Sequence, residues 1–269
     1  MSSDSEHEET PVFDALRDAL RADEPVALAT VTAGPNVGAK LLVSATNAAI
    51  GSLGNDDLDR VVARDALGEL GAGLTGTRHY GHHGEARERD VEVFIESFAS
   101  APRMLIFGAV DFTGALARAG KLLGYRVTVC DAREVFATAA RFPAADEVVC
   151  EWPNRLLERV GDTLGPRDAV CVLTHDEKFD VPAIIAALET RVGYLGAMGS
   201  RRTHARRLQR LHELGIDDEA LERLMAPIGL DIGARTPEET AIAVCAEIIA
   251  KRTGRAAPSL RDGAGPIHA

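Results

Sequence analysis

Hydrophobic and polar positions change their spacing partway along the chain. Over residues 11–23 the apolar residues Val12, Phe13, Leu16, Ala19 and Leu20 recur at helical intervals, and Pro25 ends the predicted helix. Short alternating runs at 26–31, 39–43 and 48–53, separated by Gly34-Pro35-Asn36 and Thr46-Asn47, predict a small antiparallel sheet. A helix follows over 58–70 with Asn55 or Asp56 as its cap, then strands at 76–80 and 91–98. From Arg103 onward apolar strands alternate with helices, the pattern of a parallel sheet. Strands are expected at 104–107, 126–130, 148–150 and 169–173, with a helix over 112–123.

A fifth strand of that second half, carrying Val192, Tyr194 and Leu195, runs into Gly196 and Gly199 and leaves as the basic helix that contains Arg201, Arg202, Arg206 and Arg207. Ser200 is placed to cap that helix. A strand-glycine-helix junction exposes unpaired N–H groups and a partial positive charge, so it is a candidate anion site. The alternative is a plain crossover turn with a solvated basic helix. Further along, a helix is expected at 217–224. The glycine-spaced loop 226–235, with Gly229, Asp231, Gly233 and Arg235, then meets Thr236-Pro237-Glu238-Glu239, a capping box that starts a helix running to Lys251.

Two other positions carry candidate chemistry. The strand at 169–173 stops at Thr174-His175-Asp176, and side chains at the carboxyl end of a parallel strand face the ligand crevice. Asp176 could equally be a helix cap, with His175 a surface residue. Gly108 and Asp131, 23 residues apart, have the spacing of a dinucleotide-binding βαβ unit whose acidic residue receives a ribose hydroxyl. Val110 stands where the second glycine of that fingerprint belongs, however, and Asp111 would put a carboxylate near the phosphates. Capping of the helix by Asp111 is the simpler reading.

The 269 residues suggest about two domains, and 46% hydrophobic with 26% charged residues are globular values. A net charge of −11 argues against nucleic acid or an anionic membrane as partner. The start MSSDSEHEET lacks the features of a leader, and no apolar run reaches about 18 residues, so a soluble cytoplasmic protein is expected. Cys130, Cys150, Cys171 and Cys245 show no CxxC spacing and read as buried free thiols. His79, His82 and His83 fall at a glycine-flanked hairpin tip with no carboxylate or thiolate shell, so no metal site is assigned to them.

Four segments together resemble the XdhC/CoxI-like family of xanthine dehydrogenase and carbon monoxide dehydrogenase accessory proteins: FGAVDFTGALARAGKLLGYRVTVCDAR (107–133), LTHDEKFDVP (173–182), GYLGAMGSRRTHARR (193–207) and PIGLDIGARTPEETA (227–241). The resemblance implies an α/β chain, with a Rossmann-like, mostly parallel sheet domain at 102–252 preceded by a small α+β domain at 11–98. Residues 1–10 are expected as a disordered tail and 253–269 as a flexible one. It implies a maturation chaperone rather than a metabolic enzyme. Such a chaperone binds the molybdenum cofactor, as molybdopterin or its dinucleotide form, and assists its sulfuration and insertion.

The partners implied are a molybdenum hydroxylase client and a cysteine desulfurase-type sulfurating enzyme, and a homodimer is left open. The cofactor's phosphate is assigned to Gly199, Ser200, Arg201 and Arg202 beside Gly196. His175 and Asp176, and the loop of Gly229, Asp231, Gly233, Arg235 and Thr236, form the facing walls, with Gly108 and Asp131 as the remaining candidates. Many family members carry a glycine-glycine-cysteine element in the first domain, but this chain has no cysteine before Cys130. NAD(P) bound by an oxidoreductase, with His175 as general acid, is one alternative, and a cofactor-free interaction scaffold is the other.

Overall fold

The computed structural model describes residues 11–262, so the expected tail at 1–10 lies outside the described residues. The chain divides into two compact units, Met1–Ser100 and Ala101–Ala269.

In the first unit β1 (Val26–Ala33), β2 (Lys40–Ser44), β3 (Ile50–Ser52), β4 (Gly76–Tyr80) and β5 (Val91–Phe98) form an antiparallel sheet in the order β3-β2-β1-β5-β4. Alternation along β1 decides its two faces. Ala27, Ala29 and Val31 pack with Leu58, Val62, Ala66 and Leu70 of α2 (Asp56–Ala72), while Val26 joins Val12 and Ala19 of α1 (Pro11–Arg21). Asn55 caps α2 by accepting the Leu58 amide at 2.9 Å. His79 lies 3.4 Å from the Glu92 carboxylate. Among the described residues no group of three or more His, Cys, Asp or Glu side chains could hold a metal ion.

The second unit holds a six-stranded parallel sheet: β6 (Arg103–Phe107), β7 (Arg126–Cys130), β8 (Glu147–Val149), β9 (Ala169–Val172), β10 (Tyr194–Ala197) and β11 (Leu224–Met225). Their spatial order is β11-β10-β9-β6-β7-β8. From β6 the chain builds outward through β7 to β8, then returns to the other side of β6 for β9, β10 and β11. The carboxyl ends of β6 and β9, paired from Met104↔Ala169 to Phe107↔Val172, therefore flank the point where the strand order reverses, which is where open α/β sheets bind ligands.

Both faces of this sheet are covered, as its continuous apolar strands require. On one face Met104, Ile106, Val127, Cys171 and Tyr194 pack against α3 (Asp111–Leu122) and α8 (Pro237–Thr253). On the other, Leu105, Phe107, Val170, Val172 and Leu195 pack against α4 (Pro153–Val160), α5 (Glu177–Leu188) and α6 (Arg201–Glu213). Among the described residues no helix is long and apolar enough to cross a membrane.

Several local expectations need correction. Val110, not Asp111, is the N-cap of α3, and Asp111 is an exposed first-turn residue whose charge favours the helix start. The helix expected at 217–224 is the single turn α7 (Asp218–Leu221), capped by Asp217, and Leu224 and Met225 pair in parallel with β10 as an extra strand. Gly196 lies inside β10 rather than in the turn, and a Cβ there would come within 2.5 Å of the Ile228 side chain. Cys130, Cys171 and Cys245 are buried, but Cys150 is exposed because β8 stops at Val149.

Candidate functional site

The turn after β6 is closed by its own side chains. Gly108 has φ of 109°, and a Cβ at this position would sit 2.6 Å from Thr174 Cγ2 and 3.0 Å from the Thr174 amide, so only glycine fits between the ends of β6 and β9. The Thr113 hydroxyl donates to the Gly108 carbonyl and accepts the Val110 amide at 3.3 Å. The Ala109 amide donates to Asp131 Oδ2 at 2.7 Å. Two amides of the turn, those of Ala109 and Val110, are thus engaged by side chains of the protein itself.

Asp131 is only 3% exposed, and its carboxylate is saturated. Besides Ala109 it accepts the Arg133 amide at 2.9 Å, Arg133 Nε at 2.9 Å and Arg133 Nη2 at 2.7 Å. Burial works to raise its pKa, but the Arg133 guanidinium and the two backbone amides outweigh it and hold the carboxyl below the ordinary aspartate value. The side chain expected to meet a ribose thus ties the end of β7 to the turn after β6. Arg133 in turn lies 4.5 Å over the Phe136 ring.

The end of β9 leads to a buried network that sequence reasoning did not identify. Thr174, at 6% exposure, donates its hydroxyl to Asp180 Oδ1, and Arg207 Nη2 donates to Asp180 Oδ2 at 2.8 Å. The same Nη2 donates to the Met198 carbonyl at 2.9 Å. Arg207 is therefore not part of a solvated basic face. Among the described residues its buried Nη1 has no hydrogen-bond partner, nor does Nδ1 of His204 one turn before. Burial pushes the Asp180 carboxyl up to about 6 against the pull of Arg207. Burial, with Arg207 as the second cause, lowers the His204 pKa. The network ties together the ends of β9 and β10, the first turn of α5 and the second turn of α6.

Above it stands the start of α6. Gly199 has φ of 146°, and a Cβ there would lie 3.7 Å from Arg207 Nη2, so the turn passes directly over the buried guanidinium. Ser200 is the N-cap, accepting the Thr203 amide at 3.1 Å. The Arg201 and Arg202 amides have no acceptor among the described residues, and both side chains are exposed. Arg206, 3.8 Å from Glu177, points instead to the first turn of α5. Beside this junction His175 is exposed, and Asp176 caps α5 through the Lys178 amide at 3.1 Å.

The glycine loop before α8 is anchored at both ends, and its middle, Asp231 to Gly233, is exposed. Ile228 donates to the Ala197 carbonyl at 3.1 Å, and Glu247 Oε2 accepts both the Gly229 amide at 2.9 Å and the Tyr194 hydroxyl at 2.6 Å. Thr236 and the Arg235 amide are engaged with Glu239 in the capping box. Asp231, Gly233 and the Arg235 side chain are exposed. Among the described residues, no hydrogen bond or ion pair joins them to His175 or Ser200. The structure thus brings Gly108, Thr174, Asp180, Arg207 and the 198–201 turn into one cluster and leaves the loop to enter only through Ile228.

Residues 104–248 match the XdhC Rossmann domain family, and residues 19–81 match the XdhC and CoxI family. A protein of Bacillus subtilis (strain 168), named as a probable xanthine dehydrogenase component, is 30% identical over 195 residues, 66% of this chain and 56% of that protein. The molybdenum cofactor insertion chaperone PaoD of Escherichia coli (strain K12) is 44% identical over 84 residues, 31% of this chain and 26% of that one. The chain thus spans about half the length, or less, of these curated relatives. A crystal structure described as a xanthine dehydrogenase from Bacillus halodurans shares the fold, with a TM-score of 0.64 at 22% identity over 93% of this chain and 69% of that one. With its family match covering 104–248, more than half of its length, the chain belongs to the XdhC Rossmann domain family.

Proposed function

We propose that this protein assists maturation of a molybdenum hydroxylase by holding the pterin-based molybdenum cofactor as cargo, with the cargo's phosphate at the start of α6. The relatives' names support the role, and the α6 junction supports the placement. The observation that carries it is the combination of unpaired Arg201 and Arg202 amides, their exposed cationic side chains and the buried, incompletely paired Arg207 guanidinium beneath Gly199. Amides, helix dipole and guanidinium all favour negative charge at one point, which is what a phosphate ester requires. His175 and Asp176 lie beside this point, and Asp231, Ile232 and Gly233 are the exposed part of the glycine loop that could contact the cargo.

The client is a molybdenum hydroxylase, and a cysteine desulfurase-type enzyme supplies the sulfido ligand. No cysteine precedes Cys130, so this chain contributes no thiolate from its first unit, and the cargo is held through its phosphate rather than through the metal. Val110 in place of a second glycine and the engagement of Asp131 by Arg133 and the Ala109 amide disfavour NAD(P) as the ligand.

Anaerobic titration with the isolated cofactor tests the reading. The double variant Arg201→Ala with Arg202→Ala is expected to lose about 1.5–3 kcal/mol for each charged hydrogen bond removed. Unchanged affinity in a variant that still unfolds cooperatively would overturn the assignment.

A further inference from the structure

Trp152 begins α4 just past the end of β8, with Pro153 at the first helical position, and it is 46% exposed. Its indole rests on Phe179, in the first turn of α5, with ring centroids 4.8 Å apart and planes inclined by 44°. Phe179 is itself 8% exposed and carries the Lys178 ammonium 4.8 Å from its ring centre. The neighbouring loop ends are tied in from the other side. Cys130 Sγ contacts the Glu151 carbonyl at 3.2 Å, and the Asp131 amide donates to Val149 at 3.2 Å. The end of β7, with Arg133, therefore stands next to the segment that presents Trp152.

We propose that the exposed indole of Trp152 is a stacking platform for the base of a nucleotide. The ring is backed by a second aromatic, so it is held in place and offers its free surface at no further ordering cost. Its sequence neighbours Glu151 and Arg155 and the nearby Asp176 and Lys178 are charged, so the ring is bordered by polar groups on the α4 and α5 side. It lies at the carboxyl edge of a parallel sheet, the edge where such sheets take ligands. Stacking on an aromatic face is open to any base.

The inference rests on the proposed function and sharpens it to the dinucleotide form of the cargo. Phe179, on which the indole rests, precedes Asp180, and Asp180 pairs with Arg207 beneath Gly199, so Trp152 and the start of α6 lie on the same edge of the sheet. A nucleotide-bearing cargo has a base to place on that ring, whereas molybdopterin alone has none.

Trp152 is the chain's single tryptophan, so indole fluorescence reports this site alone. The full chain is titrated with cytidine, guanosine and adenosine diphosphates, with inorganic pyrophosphate as the base-free control and a nucleotide-free pterin as the rival ring. Saturable quenching by at least one nucleoside diphosphate and none by pyrophosphate is expected. By calorimetry, Trp152→Ala should weaken that nucleotide about tenfold while Trp152→Phe keeps most of the affinity. Quenching that persists in the Arg201→Ala, Arg202→Ala variant would uphold the platform even if the phosphate assignment fails. Absence of quenching by every nucleotide, quenching by the pterin alone, equal affinity in Trp152→Ala, or concentration-dependent quenching from self-association would each overturn it.

Discussion

Arg207 and Asp180 form an ion pair at 2.8 Å with both side chains only 2% exposed, and Thr174 completes the carboxylate's partners. Both charges have been taken out of water, so each is stable only because the other is present. Arg207→Met should therefore lower unfolding stability by about 3–5 kcal/mol. Arg207→Met combined with Asp180→Leu should recover most of that loss, measured by urea denaturation. A double variant no more stable than the single one would show that Arg207 acts through packing alone.

Gly108 is confined by Thr174 on one side and by its own positive φ on the other. Gly108→Ala adds backbone strain and a steric clash together, and a loss of about 2–5 kcal/mol is expected. Gly124→Ala, also at positive φ but with open space around it, should cost less. Thermal unfolding of the two variants compares strain alone with strain plus contact.

The pH dependence of stability should carry two opposite contributions. Asp131 has a folded-state pKa below its unfolded value, so its stabilisation is present above about pH 4 and is lost as pH falls through the folded value. Asp180, with a pKa raised to about 6, stabilises most below about pH 4 and loses that contribution as pH rises toward 6. Asp131→Asn should be less stable than the parent at neutral pH, and the gap should narrow in acid. A gap that widens on acidification would contradict the assigned direction.

Only one of the four cysteines is exposed. Burial pushes the Cys130 thiol up to about 12 and the Cys245 thiol up to about 11, and it raises Cys171 as well, so none of these reacts as a thiolate near neutrality. An aromatic disulfide reagent should modify one thiol rapidly in the native protein and four after unfolding. The rapid phase should disappear in Cys150→Ser.

Much of the architecture is legible in the sequence because its signals are local. Alternation marks β1 and β5 of the first unit, and short apolar runs bounded by turn residues, such as Met104-Leu105-Ile106-Phe107 before Gly108, mark strands covered on both faces. Ser200 and the box from Thr236 to Glu239 announce helix starts, and the structure places both as caps. The Asp180–Arg207 pair is not local. Its one sequence signal is an aspartate among Phe179, Val181, Ala183 and Ile184, and an arginine four residues before Leu211, each a charge on an apolar stripe. Pairing them across 27 residues requires knowing that α5 and α6 are neighbours. The inward turn of Asp131 depends on Arg133 two residues later, a competition between partners that spacing rules do not register. β11 is two residues long, too short for any periodicity to show.

The bond from Ala109 to Asp131 sets a condition on how such a domain could change ligands over evolution or by engineering. Glycine at position 110 would open room beside a turn whose amide is still occupied. Releasing Asp131 while Val110 remains would free the amide under an obstructing side chain. Neither change is useful without the other, and Arg133 would need a new partner in both cases. Conversion to a nicotinamide-dinucleotide binder therefore lies at least two simultaneous substitutions away, and grafting the glycine fingerprint alone is the wrong starting point for a designer.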